Sequence, residues 1–173
     1  MKYIRFFIIV AIMAGLISIA AGCGYRFEGS GYVNEGVTRV AVEVFKNKSS
    51  ETRAGMSFTN EFIREILEKT NTNVVDSAKA SPRITGVVNS ITFSTLSRTS
   101  VEAVVERRVT AMVDVQLVDR DGKVLWSVKN FSSKEDYTVA EDKINDEINK
   151  RGAVDEIAQR TAERVVSQMM TNF

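Results

Sequence analysis

Histidine is absent from the 173 residues, and the chain has a single cysteine, Cys23. The lack of histidine excludes the nucleophile systems that depend on a histidine base. Together with the lone thiol, it also removes the usual ligands of zinc. No carboxylate pair is marked as catalytic by its pattern, so we expect a protein without enzymatic activity, metal or cofactor.

The chain also has no excess of charge of either sign. Removing Lys2 and Arg5, which lie in the leader described below, from the 23 basic residues leaves 21 against 22 acidic residues, a net charge of −1. A nucleic-acid-binding domain normally has a basic excess, so nucleic acid is not expected as a partner. The single proline and the lack of low-complexity tracts disfavour long disordered regions, and the chain is long enough for one domain.

The first 22 residues have the three parts of a secretory signal. Lys2 and Arg5 precede an apolar run over 6–21, and small residues end at Gly22. The run of about 16 residues is shorter than the roughly 20 that span a bilayer as a helix. We therefore interpret residues 1–22 as a signal peptide and exclude them from the fold.

Cys23 follows the small residues directly, and Ala-Ala-Gly-Cys resembles the bacterial lipobox, in which the cysteine thiol receives a diacylglycerol. We predict lipidation at Cys23, since several acyl chains anchor a protein stably where one chain binds marginally. Gly24 stands where aspartate retains many lipoproteins in the inner membrane, which favours the periplasmic side of the outer membrane. The alternatives are an ordinary secreted protein with an unmodified thiol and an uncleaved anchor.

Residues 23–36, rich in glycine, are predicted to be a short tether, and residues 37–173 a single domain. In the domain, alternating apolar residues predict strands and a spacing of four predicts helices. Asp121-Gly122 predicts a hairpin turn. In the strand 83–97 the apolar residues fall partly on even and partly on odd positions, and a bulge near Asn89–Ser90 would place them on one face. The predicted order is strand 37–45, helix 51–70, a short strand or extended stub at 74–76, strands 83–97 and 101–118, a returning strand through 124–128, and a long C-terminal helix.

Thr138 to Glu141 matches a capping box, which predicts the start of the last helix, and Gly152 is a candidate site for a kink or break in it. A sheet with one apolar face and two amphipathic helices predicts an α/β (α+β) fold. We expect a two-layer sandwich: a mixed, mostly antiparallel sheet of about four strands, covered by two helices.

The chain resembles the LptE family, the outer-membrane lipoproteins of lipopolysaccharide assembly, over nearly the whole mature sequence. The resemblance is carried by segments in the same order and spacing, each of which is also a generic strand or turn. They are Cys-Gly-Tyr-Arg-Phe from Cys23, Val-Ala-Val-Glu-Val-Phe-Lys-Asn from Val40, Val-Val-Asp from Val74, Ile-Thr-Gly from Ile84, Val-Gln-Leu-Val-Asp-Arg-Asp-Gly-Lys-Val-Leu-Trp from Val115, and Tyr-Thr-Val-Ala from Tyr137.

The resemblance implies a binding and scaffolding role. Members of the family sit in and against the β-barrel LptD, help it fold, plug its lumen and contact lipopolysaccharide on its way to the outer leaflet. The partners expected from the resemblance are therefore an LptD-like β-barrel, lipopolysaccharide and, through the lipid anchor, the outer membrane.

Three arginines are candidate contacts for lipopolysaccharide. Guanidinium groups match phosphate geometry, and lipid A carries phosphates. Arg98, Arg107 and Arg108 flank one predicted hairpin, whose loop near 99–102 places all three at or near one end of the sheet. The alternative is that they are solvated strand-end charges, paired with Glu102 and Glu106.

A second function stays open at this point. Regulatory lipoproteins that activate a cell-wall synthase, or that assemble a secretion pore, share several of the same segments and would bind a periplasmic or cell-wall protein instead of a barrel. The short tether favours the transport role, because about 14 residues between Cys23 and the first strand span at most about 50 Å.

Overall fold

The computed structural model describes residues 31–76, 82–98 and 104–171. The predicted signal peptide, Cys23 and the tether up to residue 30 lie outside the described residues. For Arg98 and Val104, at two strand ends, the backbone alone is described.

The domain is an open mixed sheet with two helices, an α+β fold as predicted. The elements are β1 Arg39–Val42, β2 Lys46–Asn47, α1 Ala54–Lys69, β3 Asn73–Val74, β4 Arg83–Arg98, β5 Val104–Val118, β6 Val124–Thr138 and α2 Lys143–Thr171. The strands form one sheet in the order β3-β1-β4-β5-β6, and β2 pairs with β4 beside β1. Strand β1 pairs in parallel with β3 and β4, and β2 pairs in parallel with β4. Strands β4, β5 and β6 form an antiparallel meander.

The expectation of about four strands is wrong, because the described residues form six. Lys46–Asn47 is a separate short strand on β4, and Asn73–Val74 is a strand on β1 where an extended stub was the alternative. Two-residue strands are formed by backbone pairing with a distant neighbour. Side-chain alternation cannot reveal them, because two residues do not define a period.

Strand β5 shows the predicted alternation most clearly. Val109, Ala111, Val113, Val115 and Leu117 are all buried on the face that the helices cover. The residues between them, such as Met112 and Gln116, lie on the open face of the sheet. The predicted bulge is confirmed, since the β4–β5 register shifts between Val88 and Ser90.

Helix α1 buries the predicted apolar face, with Phe58, Phe62 and Ile66 fully enclosed. The ring of Phe62 lies 4.9 Å from that of Phe45, centroid to centroid. Phe45 in turn lies over Gly86 on β4, where a Cβ would approach its ring to 2.3 Å. Glycine is therefore required at this position for the ring to reach the sheet.

The capping box predicted at Thr138 is wrong. Thr138 is the last residue of β6, paired with Glu106 of β5, and α2 begins at Lys143. Asp142 caps the helix instead, since its carboxylate accepts the Asn145 N–H at 2.9 Å. Helix α2 is continuous through Gly152, so the kink or break considered there does not occur.

The sheet has two distinct ends. We call the base the end at which β1 and β4 begin, β5 ends and both helices finish. The tip is the opposite end, where β4 ends, β5 begins and α2 starts. Strands of 15 and 16 residues separate the two ends, a span of about 50 Å at 3.3 Å per residue.

Candidate functional site

The tip brings the three candidate arginines together along the backbone. In the β4–β5 hairpin, Arg98 pairs with Val104 at the last described rung, and Arg107 and Arg108 pair with Thr95 and Ser94. All three positions thus lie within the last rungs of one hairpin, the one predicted to carry them. The loop that joins the strands, 99–103, lies outside the described residues together with Glu102.

Arg107 and Arg108 leave the strand on opposite faces, because adjacent strand residues alternate. Arg107 shares the parity of the buried Val109, so it lies on the helix-covered face, opposite Tyr137 of β6. Arg108 lies on the open face. A ligand at one face of the tip would therefore meet one of these two side chains and not both.

Arg108 is engaged by a carboxylate of the neighbouring strand. Its Nε and Nη2 donate to the two oxygens of Asp136, at 2.7 and 2.8 Å. These side-chain hydrogen bonds raise the pKa of Arg108 and lower the pKa of Asp136 from their ordinary values. The predicted pairing with an acid is thus present, but the acid is on β6 and is neither Glu102 nor Glu106.

Arg107 has no carboxylate partner within the described residues. Its cross-strand neighbour Tyr137 is 8% exposed and meets the ring of Phe93 edge-on, with centroids 6.3 Å apart. The hydroxyl of Tyr137 is buried without a hydrogen-bond partner among the described atoms. Arg107 therefore stands beside an aromatic pair that carries one unused polar group.

Lys150 of α2 closes the helix side of the tip. Its Nζ lies 2.8 Å from Oε1 of Glu51 and 4.9 Å from the centroid of the Phe93 ring. The hydrogen bond to Glu51 raises the pKa of Lys150. Lys150 and Asp136 were not predicted from the sequence. Each is one of many charged residues on an exposed element, and only its tertiary contacts set it apart from the others.

The base receives the tether. The backbone oxygen of Gly31 accepts the N–H of Asn71, at the end of α1, at 2.9 Å. The N–H of Val33, a fully buried residue, donates to Thr72 Oγ1 at 3.1 Å. The chain from Cys23 thus enters the domain at the end opposite the arginines.

Among the residues described, no three acidic, histidine or cysteine side chains converge as a metal site would require. Helices α1 and α2, the helices of these ranges, are too polar or too short to cross a membrane. The hollow between the start of α1 and α2 has a volume of about 170 Å³ and is lined by side chains of both charges, among them Glu51, Arg53, Arg151 and Asp155. With Glu147 the lining has three acidic and two basic side chains, a nearly balanced set that marks no ion-binding site.

The fold defines the class: an α+β domain of the kind seen in solved bacterial lipoproteins. Lipoprotein B from Nitrosomonas europaea has a TM-score of 0.58 at 16% identity, covering 85% of this chain and 90% of its own. A lipoprotein from Caulobacter crescentus gives 0.54 at 13%, covering 74% and 89%. Rare lipoprotein B from Shewanella oneidensis gives 0.50 at 17%, covering 76% and 92%. At these identities the likeness shows the fold alone.

The sequence identifies the family. The model of the lipopolysaccharide-assembly family LptE matches residues 37–169, and the chain belongs to that family. No curated protein matches the chain. The family expected from the sequence segments is thus confirmed, over a range that includes both ends of the domain.

Proposed function

We propose that this protein is an outer-membrane lipoprotein that binds an LptD-like β-barrel, assists its assembly and helps deliver lipopolysaccharide to the outer leaflet. The observation that carries the proposal is membership of the lipopolysaccharide-assembly family across 37–169. The division of the domain into a tethered base and a tip that carries three arginines supports it.

The tether restricts where the domain can work. Gly31 lies eight residues after Cys23, so a lipid on Cys23 keeps the base within about 29 Å of the membrane. A partner that contacts the base is therefore itself in the membrane or at its surface. A large outer-membrane barrel meets this requirement better than a cell-wall protein.

The tip offers the chemistry for a phosphorylated lipid. Arg107 is a stronger candidate than Arg108, since Arg108 is already neutralised by Asp136. A guanidinium without a carboxylate partner is free to bind phosphate in a bidentate manner. Arg107 also adjoins the Phe93–Tyr137 pair, of which Tyr137 is buried and Phe93 is partly exposed.

Partner capture tests the function. The tagged, acylated protein is purified from detergent-solubilised outer membrane, and the co-purifying proteins are identified by mass spectrometry. A stoichiometric large β-barrel that survives stringent washing supports the proposal. A penicillin-binding protein or secretion component in its place would favour the regulatory or pore-assembly alternative.

Lipopolysaccharide binding tests the tip separately. Arg98→Asp and Arg107→Asp should each weaken binding of purified lipopolysaccharide about tenfold or more, as expected for loss of a charged hydrogen bond. Arg39→Asp, the same charge change at an exposed position of the base, is the matched control and should bind as the wild type does. Equal losses in all three variants would show a general charge effect and exclude a site at the tip.

Acylation is tested by labelling. Cells expressing Cys23→Ala should accumulate an unlabelled precursor when fed radioactive palmitate, whereas the wild type is labelled. Equal labelling of the two proteins would exclude Cys23 as the lipidation site.

A further inference from the structure

Two adjacent apolar side chains are exposed at the base. Val124 is 46% exposed and Leu125 is 41% exposed. They open strand β6, directly after the turn that joins it to β5. Along a regular strand adjacent side chains alternate between faces, so two consecutive exposed apolar residues require a local cause.

That cause is a register shift. Val118 pairs with Val124 and Leu117 pairs with Trp126, which leaves Leu125 without an opposite residue on β5. An extra residue of this kind bends the strand and redirects its side chain. The neighbouring turn is well ordered by Asp119, whose Oδ1 accepts the N–H groups of Asp121 and Lys123 at 2.9 and 2.8 Å. The apolar pair is thus held on a defined hairpin end.

The hairpin end and the tether share the base. Gly31 lies against Asn71, and a Cβ there would lie 3.2 Å from Met170 near the end of α2. The helices finish at the end of the sheet where β4 begins and β5 ends, which is the end of the β5–β6 turn. A lipid attached eight residues before Gly31 therefore brings this end of the domain to the membrane.

We propose that Val124 and Leu125 contact the lipid headgroup and acyl boundary of the membrane in which Cys23 is anchored, so that the base docks on the lipid surface. The inference rests on the lipid anchor of the proposed function. Apolar side chains at the end of an exposed hairpin enter this boundary favourably, and the stems of Arg120 and Lys123 can extend along it with their charges in water.

The charges of the turn define the nature of this contact. Arg120 and Lys123 are balanced by Asp119 and Asp121, so the turn has no net attraction for anionic lipids. The contact should therefore depend on the apolar pair and change little with salt, unlike that of a polybasic segment.

The only tryptophan in the chain, Trp126, lies two residues from Val124 and reports on this contact. The acylated protein is reconstituted into phosphatidylethanolamine–phosphatidylglycerol vesicles, with and without brominated acyl chains, and floated on a density gradient. Its emission should be quenched in the brominated vesicles. Val124→Asp with Leu125→Asp should restore the emission to its level in unbrominated vesicles, whereas Ile144→Asp with Ile148→Asp, the matched apolar pair at the tip, should leave the quenching unchanged.

A probe at the other end completes the test. With Trp126→Phe and Ile144→Trp in the same chain, the emission should not be quenched. Floated protein whose Trp126 is not quenched would overturn the lipid contact, leave the anchor standing and assign the apolar pair to a protein surface, either a second copy or a barrel. Protein that does not float would overturn the anchor and the contact together. Circular dichroism checks that each variant is folded. This is expected, since Val124, Leu125, Ile144 and Ile148 are exposed and Trp126→Phe keeps an aromatic ring at a partly buried position.

Discussion

The base and the tip of this domain are built differently. At the base, α1 encloses Phe58, Phe62 and Ile66 completely. At the tip, the first ten residues of α2, 143–152, contain no buried residue, and Ile144 and Ile148 are 76% and 58% exposed. The tip is held by polar and cation–ring contacts, such as those of Lys150, over little enclosed apolar surface.

This difference shows that the most tightly packed part of the domain is the base, whereas the proposed lipopolysaccharide site is at the opposite end, the tip. Regions with few buried apolar contacts open at lower free energy than the core, and ligand-binding elements are often drawn from them. The lipid binding that we propose for the tip would be served by exposed charges and thin packing. A base that must hold the tether is served by a rigid core.

The largest effect should come from the base. Phe62→Ala removes a fully buried ring in contact with Phe45 and should lower the free energy of unfolding by about 3–5 kcal/mol. Phe93→Ala, a partly buried ring at the tip, should cost clearly less. Urea denaturation of both variants measures the difference, and equal losses would abolish the distinction between the ends.

Replacing two of the glycines with alanine should change the free energy of unfolding in opposite directions. Gly86→Ala places a methyl group against the buried ring of Phe45 and should lower the free energy of unfolding by about 1–3 kcal/mol. Gly152→Ala on the exposed part of α2, where no atom lies within 4 Å of the new Cβ, should raise it by about 0.5–1 kcal/mol. Thermal melts of the two variants would refute this expectation if both shifted in the same direction.

Lys150→Met should loosen the tip specifically. It removes the ion pair with Glu51 and the cation over Phe93, at a cost of about 1 kcal/mol for these partly exposed groups. Amide hydrogen exchange should become faster in 143–152 and at the end of β6, with protection in α1 unchanged. Uniform acceleration across the chain would show that Lys150 supports the whole fold.

The smallest effect should be seen in the pH dependence of stability. The pKa of Asp136 is lowered in the folded state from 3.8 by its hydrogen bonds with Arg108. The pair therefore stabilises the fold above that pH, and its contribution is lost as the pH falls through the lower folded value. Asp136→Asn should make the fall in melting temperature at acid pH slightly shallower. If the melting temperature of the variant falls with pH as steeply as that of the wild type, this exposed pair contributes nothing to stability.

Local patterns predicted most of the fold. The alternation of β5 and the spacing of Phe58, Phe62 and Ile66 identified a long strand and a helix, because side-chain periodicity follows directly from backbone geometry. The same patterns failed at Thr138. A local capping box suggested a helix start there, but the pairing of Thr138 with Glu106 extends β6, so tertiary hydrogen bonding outweighed local preference.

The sequence of this protein by itself determined the order of the main elements and the family segments, and it predicts a leader and a lipidation site at Cys23, since each depends on neighbouring residues. The tertiary structure alone decided which charges meet: Arg108 with Asp136, and Lys150 with Glu51 and Phe93. It also decided that the tether and the Val124–Leu125 pair share one end while the arginines share the other. These relations join residues far apart in the chain, and strand register and helix packing set them through backbone pairing and burial, which no local pattern encodes.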